Sequence, residues 1–347
     1  MKPLILLFLS AFVIISCTTQ YTPRDIEEVQ IKTIKVDSTS IRTIVAIDTN
    51  TVMFAGSKGK LGYHAEGKKT VIKTVRYQDT IIPGFRSAAS NGNDFFILSV
   101  SNPALLYKTT IVEHDLVYIE EHEKVFYDSM KFFNELDGIA MGDPTEDCLS
   151  ILLTNDGGKS WKKTPCQDLP KIVEGEAAFA ASNTNIKVLG NTVWIVTGGA
   201  KARVFRSLDK GLTWKVYETP MVQGDGPQGI YSVDFADQLH GIVIGGDYLK
   251  PDANEHNKAI TNDGGITWTT VADGQGPTYK SCVQYVPNTQ GKEVFAVGKT
   301  GISYSKDGGV TWKEVSKEEF YTIQFVDKTT AWLSGNGKLG KLELPNE

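Results

Sequence analysis

Arginine, lysine and tyrosine side chains recur at the start of successive strand-like segments of this sequence. Alignment of the segments by their apolar residues places one chemically rich column at these starts: Arg42, Arg86, Asp128, Ala178, Tyr231, Lys280 and Tyr321. Arginine offers paired donors to a carboxylate or a phosphate, and tyrosine offers rigid amphipathic contact area. The column therefore predicts a site for an anionic group, either a peptide carboxylate or an acidic glycan. We expect three nearby carboxylates to shape its selectivity: Asp143, Glu176 and Asp247. The alternative is that these residues are only solvated and neutralise one another.

The sequence gives little support for cofactor or metal chemistry. Gly335 to Gly340 fits the spacing G-x-G-x-x-G, but a dinucleotide site also needs a following helix and an acidic residue about 20 positions later. The sequence instead continues KLELPNE. The histidines lack the close spacing of zinc ligands. The insertion from Asp247 to Lys258 could hold calcium, although a plain polar loop is the simpler interpretation. We therefore predict no cofactor and no metal.

The elements that must position these residues are marked by an octet that occurs four times. Its copies read TNDGGKSW, SLDKGLTW, TNDGGITW and SKDGGVTW, and each has the form Ser/Thr-x-Asp-x-Gly-x-Thr/Ser-Trp. Asp and Gly supply turn chemistry, and the Thr/Ser and Trp that follow fit the start of a strand. The octet therefore predicts a hairpin with a structural Asp and Trp. These pairs are Asp156 and Trp161, Asp209 and Trp214, Asp263 and Trp268, and Asp307 and Trp312.

Short runs rich in Val, Ile, Thr, Tyr and Phe fill the rest of the chain, which predicts an all-β fold. Aligned as repeats, they give seven units, each with an inner strand, a Gly-rich strand and a hairpin. The fourth inner strand is expected to begin at Glu176. The second aligned column is mostly hydroxylated: Thr43, Ser87, Ser129, Phe179, Ser232, Ser281 and Thr322. The seventh unit has three strands of its own, so we predict that residues 28–37 supply its fourth strand and close a ring.

The octet resembles the Asp-box, or bacterial neuraminidase repeat, in which it closes the outer strands of a propeller blade without taking part in catalysis. Together with the aliphatic-Gly-Gly strands, it is similar to the seven-bladed propellers of the photosystem II assembly/stability factor family, and more broadly to WD and YVTN repeat propellers. The resemblance extends from about Glu28 to Leu344. It implies a seven-bladed β-propeller of four-stranded blades over residues 27–347, with arginine-rich faces that bind a partner. Because one fold serves many functions, the resemblance is specific for fold only.

The first residues are typical of an export signal. Lys2 precedes an apolar run that ends in Ile14-Ile15-Ser16-Cys17, which resembles a bacterial lipobox. This predicts a signal peptide over residues 1–16, lipid attachment to Cys17, and a polar tether over residues 17–26. The expected location is the bacterial envelope, at the outer rather than the inner membrane. The alternative is an ordinary cleaved signal. The net charge of −5 gives no basis for nucleic-acid binding.

Two cysteines flank the first octet. If Thr154 pairs with Ser160 across the hairpin, Cys148 and Cys166 fall opposite each other at a separation suited to a disulfide. An exported protein permits the oxidation. Cys282, on an inner strand, is expected to remain a buried thiol. The competing interpretation is two unpaired strand cysteines.

Two functions from different classes remain open. The first is a non-catalytic envelope protein that binds a protein segment or a glycan at the channel mouth. The second is a glycoside hydrolase that uses acidic residues at that mouth. Phe85 and Arg86 match the first half of the sialidase F-R-I-P motif, but Ser87 and Ala88 replace its Ile-Pro. Because no pair of carboxylates is singled out either, the sequence favours the binding protein.

Overall fold

The structure is a computed structural model that describes residues 21–345, without the side chains of residues 37 and 38. The predicted signal peptide and Cys17 lie outside the described residues. Within that range the regular structure is almost entirely antiparallel strand, and the helix assigned there is a single 3-10 turn, Cys166–Asp168. None of the described residues forms a helix long and apolar enough to cross a membrane.

The first three units are built from twelve strands. Unit 1 contains the second part of β1 (Ile31–Asp48), then β2 (Thr51–Gly56), β3 (Lys60–Ala65) and β4 (Val71–Thr74). Unit 2 contains β5 (Phe85–Ser90), β6 (Phe95–Ser99), β7 (Ala104–Thr109) and β8 (His114–Glu120). Unit 3 contains β9 (Tyr127–Phe132), β10 (Gly138–Gly142), β11 (Ser150–Thr154) and β12 (Lys162–Lys163).

The remaining four units follow the same order from the centre outwards. Unit 4 contains β13 (Glu176–Ala177), β14 (Ile186–Leu189), β15 (Thr192–Val196), β16 (Gly198–Gly199), β17 (Arg203–Ser207) and β18 (Lys215–Glu218). Unit 5 contains β19 (Gln228–Phe235), β20 (Gly241–Asp247), β21 (Lys258–Thr261) and β22 (Thr269–Thr270). Unit 6 contains β23 (Cys282–Tyr285), β24 (Val294–Gly298), β25 (Gly301–Ser305) and β26 (Lys313–Ser316). Unit 7 contains β27 (Thr322–Phe325) and β28 (Thr330–Glu343).

The two ends of the described chain share unit 7. The first part of β28 pairs with β27, and its second part pairs with the beginning of β1, from Ile31 opposite Leu342 to Lys35 opposite Lys338. The prediction that an N-terminal strand completes the last unit is therefore confirmed. Closure of this kind removes the unpaired sheet edges that favour aggregation.

Contacts between the innermost strands define the architecture. Each innermost strand contacts the next around the centre, and β27 contacts β1, so the described units form a closed ring. The predicted all-β class is confirmed, and the fold is a β-propeller whose blades are the units described above. Apolar residues of adjacent blades fill the layers between them, as where Phe295 of blade 6 contacts Phe325 of blade 7.

The octets form the outer hairpins of blades 3 to 6. In each, the Asp carboxylate accepts hydrogen bonds within the turn; Asp263, for example, accepts from the amide and the hydroxyl of Thr267 at 2.9 and 2.6 Å. The indole N–H of Trp268 donates to Gly265 O at 3.2 Å. The tryptophans pack into the layer shared with the preceding blade, where Trp161 contacts Phe96 of blade 2. These Asp and Trp side chains are thus occupied by structural contacts.

The two faces of the ring differ in what they carry. All innermost strands run in one direction, so they begin on one face, the entry face, and end on the other. The second face, the hairpin face, carries the hairpins that follow the innermost strands and also the octets. Hydrogen bonds join these two sets, such as Gly264 N to Leu239 O at 2.9 Å and Gly157 N to Leu136 O at 2.9 Å.

The predicted disulfide is present between Cys148 and Cys166, with Cα atoms 5.7 Å apart. The register behind that prediction was wrong, however. Leu152 pairs with Lys163, one residue away from the expected register, and both cysteines lie outside the strands. Cys148 forms a bridge with Lys171, and Cys166 begins the 3-10 turn. Loop geometry, not strand pairing, brings the sulfurs together.

The segment from Tyr21 to Val29 lies on the hairpin face against blade 6. Arg24 and Glu293 form a buried ion pair, with 6% and 0% of their side chains exposed. The Tyr21 hydroxyl donates to the same carboxylate at 2.7 Å, and Tyr304 donates to Arg24 O at 2.9 Å. Residues 21–26 of the predicted tether are therefore fixed to the propeller, and the expected boundary at residue 26 is too late.

Candidate ligand-binding site at the channel mouth

A cavity of about 410 Å³ opens on the entry face at the centre of the ring. Its wall combines cationic, aromatic and small residues from every blade of the ring. The lining residues are Arg42, Arg86, Phe126, Asp143, Ala178, Phe179, Ala180, Ala181, Tyr231, Tyr248, Tyr279, Ser281, Lys299 and Tyr321. A concave site with aromatic walls and a few convergent charges is what small-ligand and peptide recognition requires.

β-bulges place the predicted column at this mouth. The register shifts by one residue at Arg42 in blade 1, at Arg86 in blade 2, at Asp128 in blade 3 and at Tyr231 in blade 5. A bulge leaves one residue unpaired and re-aims its side chain. The shared bulge therefore explains why the side chains of one sequence column converge on the centre of the ring.

Arg42 and Arg86 form the cationic part of the site. Arg42 donates to Ala181 O at 3.1 Å, and Arg86 donates to Ala180 O at 3.2 Å. The Arg42 guanidinium also lies 4.2 Å from the centre of the Tyr321 ring, a cation–π contact. Burial, and then the charge of Arg42, lower the pKa of Arg86. Two half-buried guanidinium groups that repel each other are stabilised by an anion that both can reach.

The opposite wall is aromatic. Phe179 and Tyr231 stack with ring centres 3.9 Å apart and an interplanar angle of 4°. Tyr279 meets Tyr231 edge-on at 4.9 Å, and Lys299 lies 5.9 Å from the centre of the Tyr279 ring. Lys299 also donates to Tyr248 O at 2.6 Å. The hydroxyl of Tyr231 donates to Pro227 O at 2.7 Å, so the wall offers mainly rigid apolar area, which suits an extended peptide or the apolar face of a sugar.

Two carboxyl groups lie at and below the cavity wall. Asp143 lines the cavity and accepts from Ala178 N at 2.7 Å. Burial raises the pKa of Asp143 to about 6. Asp128 is fully buried beside Arg86, and neither of its carboxylate oxygens has a hydrogen-bond partner among the described residues. Burial and the neighbouring Asp143 raise the pKa of Asp128 well above its usual value, although Arg86 acts in the opposite direction.

The floor of the cavity is a segment that was predicted to be a strand. The expected fourth innermost strand begins at Glu176, but only Glu176 and Ala177 pair there, and the strand resumes at Ile186. Residues 178–185, here called the plug, leave the sheet between these points and cross the centre of the ring. Because the plug leaves the sheet, Ala178 and Phe179 do not belong to the fourth innermost strand, where the sequence alignment had placed them.

Polar contacts with most of the other blades hold the plug. Asn183 donates to Thr43 Oγ1 at 3.0 Å and to Ala88 O at 2.7 Å, and it accepts from Ser87 Oγ at 3.1 Å and from Met130 N at 3.0 Å. The other plug contacts pair Ser182 with Ser281, Thr184 with Ser232, and Asn185 with Ser129. Four hydroxyls of the second predicted column therefore anchor the plug: Thr43, Ser87, Ser129 and Ser232. Ser281 contributes its backbone carbonyl instead.

Four of the predicted site residues do not line the cavity. Glu176 forms a buried ion pair with Arg203, with an N–O distance of 2.6 Å. Asp247 is buried and accepts from Leu249 N at 2.9 Å. Lys280 is 1% exposed and donates to Thr300 O at 2.9 Å and to Gly301 O at 3.0 Å. The fourth is Asp128, which is sealed beneath the cavity. The acidic residues expected for a glycoside hydrolase are thus largely engaged in internal contacts.

Several lining residues were not predicted as site residues: Phe126, Phe179, Tyr248, Tyr279 and Lys299. Tyr279 precedes Lys280 by one position. Blade 6 shows no register shift at Lys280, so the neighbouring tyrosine faces the cavity instead. A signal was available for Phe126, because an aromatic residue directly precedes the innermost strands of blades 3 and 7.

Comparisons with known proteins agree with this fold. No protein-family model and no curated protein sequence matches the chain. Similar solved structures include β-propellers of two kinds. The WD40 repeats of RRP9 superpose with a TM-score of 0.66 at 10% identity, over 92% of this chain and 100% of that chain.

The other kind is YCF48. A structure described as YCF48 bound to a D1 peptide has a TM-score of 0.67 and 16% identity, over 93% of this chain and 98% of that chain. YCF48 from Cyanidioschyzon merolae has a TM-score of 0.65 and 14% identity, over 90% of this chain and 98% of that chain. Identities this low establish a shared fold alone.

Proposed function

We propose that this protein is a non-catalytic binding propeller of the bacterial envelope that holds a protein segment in the entry-face cavity. The observation that carries the proposal is the pairing of Arg42 and Arg86 across from a stacked aromatic wall. The guanidinium groups would bind a carboxylate of the segment, either its C-terminus or an acidic side chain. The rings of Phe179 and Tyr231 would pack on the neighbouring apolar side chain.

Support also comes from a neighbour in fold. YCF48 is a propeller of the same kind that has been seen with a D1 peptide bound. The envelope location rests on the predicted lipid attachment to Cys17. We prefer a peptide to an acidic glycan because of this neighbour, and because the stacked rings of Phe179 and Tyr231 offer a flat face for an apolar side chain beside the two arginines.

Peptide binding is tested with fluorescein-labelled hexapeptide mixtures that carry either a free C-terminal carboxylate or a C-terminal amide. We expect the carboxylate mixture to bind, and the double variant Arg42→Ala, Arg86→Ala to weaken it by roughly 30-fold, or about 2 kcal/mol. Fluorescence anisotropy gives both affinities.

The matched control is Arg76→Ala, which removes an exposed arginine outside the cavity and should leave binding unchanged. Equal binding of the carboxylate and amide mixtures would assign recognition to the side chains of the peptide. Full retention in the double variant would show that the arginines do not bind the ligand. Turnover of aryl-glycosides or sialosides by the purified protein would contradict a binding-only function.

A further inference from the structure

The hairpin face presents a set of exposed aliphatic side chains. They lie in or directly beside the turns of six blades, with between 43% and 67% of each residue exposed: Ile47, Val112, Leu136, Leu208, Leu212, Leu239, Ile266 and Val310. Single exposed aliphatic residues are common on protein surfaces. Their concentration at the tips of one face is the feature that calls for an explanation.

The repeat itself generates much of this set. The sixth position of the octet is Leu212, Ile266 or Val310 in three copies, and Lys159 in the fourth. The Asp of each octet accepts the hydrogen bonds of the turn, and the Trp packs in the layer between two blades. The side chain at the sixth position makes neither of these structural contacts. The hydrogen bonds of the octets place Leu136 and Leu239 beside them.

A second observation involves the same face. The described chain begins at Tyr21, and the segment that follows is fixed to the hairpin face by the buried pair of Arg24 and Glu293. Asp25 and Lys306 of the fourth octet form a further ion pair at 2.7 Å. The predicted lipid attachment site, Cys17, precedes Tyr21 by four positions. Four residues span at most about 14 Å, so an acyl chain on Cys17 would be held close to this face.

We infer that the hairpin face is a membrane-docking surface, whose aliphatic tips enter the interfacial layer of a lipid bilayer. Charged groups such as Lys210 and Asp237 separate the tips. The interfacial layer of a bilayer is deformable and partly polar, so it can accept separate apolar side chains that have charged groups between them. A protein partner favours a continuous apolar patch. The cavity with Arg42 and Arg86 would then face away from the bilayer, open to a segment that arrives from the aqueous phase. This inference goes beyond the proposed function: it shares with it the predicted lipid attachment to Cys17, but it does not depend on what the cavity binds.

Depth-dependent fluorescence tests the docking surface. Leu212 and Leu249 are both 67% exposed, the first on the hairpin face and the second on an entry-face loop. Each is replaced in the full chain, Leu212→Cys or Leu249→Cys, and labelled with NBD. The described cysteines do not compete, because Cys282 is buried and the other two are bonded. The predicted lipid attachment would block Cys17. The labelled proteins are mixed with phosphatidylethanolamine–phosphatidylglycerol vesicles that contain doxyl lipids.

We expect the probe at position 212 to shift to the blue and to be quenched several-fold more than the probe at position 249. Equal quenching of the two probes, or no quenching of either in protein that cosediments with vesicles, would mean that a tether alone holds the protein and would overturn the inference. Failure to cosediment would overturn it as well. A photocrosslinker at position 212 that captures one discrete protein, or a second copy of this chain, would reassign the face to a protein contact.

Discussion

Single residues at the bulges decide which side chains enter the cavity. In blades 1, 2 and 5 the unpaired residue of the bulge is Arg42, Arg86 or Tyr231, and each lines the mouth. In blade 3 the equivalent residue is Asp128, which is buried beside Arg86. The site therefore contains its own acidic component, and its net charge depends on the protonation of Asp128 and Asp143.

Asp143 makes ligand binding dependent on pH. Because burial raises its pKa to about 6, the carboxyl is largely neutral below that pH and charged above it. An anionic ligand between Arg42 and Arg86 is repelled by the charged form. We expect the affinity for a carboxylate peptide to rise by about five-fold, or about 1 kcal/mol, between about pH 7.5 and pH 5.5. Isothermal titration calorimetry across this range measures the effect.

The variant Asp143→Asn supplies the control for this pH dependence. It should bind tightly at both pH values, and a pH dependence as large as that of the unaltered protein would contradict the assignment.

The same ionisation of Asp143 affects the stability of the fold. A folded-state pKa above the unfolded value means that the neutral carboxyl favours the folded state at low pH, and that this contribution is lost as the pH rises through about 6.

The sequence predicts the arginines and two of the tyrosines because they share a position relative to an apolar pattern. It does not predict Tyr279 in place of Lys280, because a bulge depends on backbone pairing that the pattern does not record. Glu176 was misjudged for a related reason. Its partner Arg203 lies 27 residues further along the chain, and only the folded blade brings the two together.

The plug is the element that turns a channel into a pocket. Its residue Asn183 has a φ of 60°, in the left-handed region that most residues avoid. The amide of Asn183 joins three blades through four hydrogen bonds. The plug carbonyls of Ala180 and Ala181 in turn accept from the two arginines of the site. Loss of the plug contacts should therefore affect stability and binding together.

Substitution of Asn183 tests this connection. We expect Asn183→Ala to lower the free energy of unfolding by about 3 kcal/mol, because buried partners lose their hydrogen bonds. Asn183→Gly should cost about 1 kcal/mol less, since glycine adopts the positive φ without strain. Urea denaturation measures both values, and peptide affinity should fall in both variants. Native stability in the alanine variant would show that the plug is held by its backbone alone.

The plug was not predicted because its sequence resembles that of its neighbours. Residues 176–182 read EAAFAAS, which matches the small and apolar composition of a buried strand. Ser182 donates to the backbone carbonyl of Ser281, and the following Asn183 and Thr184 bond to the hydroxyls of Thr43 and Ser232 on other blades. Such long-range hydrogen bonds leave no periodic signal in the local sequence. The octets were predictable for the opposite reason, since their hydrogen bonds close within the turn.

At the scale of the whole molecule, the N-terminal segment joins blade 6 to the closing strand of blade 7. Glu293→Ala should leave Arg24 buried without its partner and lower the free energy of unfolding by about 3–5 kcal/mol. Urea denaturation measures this loss, and hydrogen exchange should show faster exchange of the Val29 amide, which donates to Val315 O.

The control for Glu293 is Glu27 in the same segment. Glu27 pairs with Lys313, but 75% of its side chain is exposed. Glu27→Ala should leave stability unchanged, because exposed ion pairs contribute little. Similar losses in the two variants would indicate that the segment is held by its general charge and not by the buried pair.

The overall architecture was easier to predict from the sequence than the single residues or the plug. Repeats, turn residues and alternation all indicate the same propeller, and the closing role of residues 28–37 follows from counting strands. The fixed position of residues 21–26 was not predictable, since a polar segment with one arginine resembles a tether until its buried partner is known.

Ring closure also sets an order of events during synthesis. Residues 31–35 leave the ribosome long before residues 338–342, with which they pair. Residues 31–35 therefore remain without these pairing partners while the intervening blades are synthesised. Until then the ring is open, and the strand at each end of it has an unpaired edge that can bind other chains. The closing pairs of blade 7 form last, so a ribosome that stalls before residue 338 would release a chain whose ring cannot close.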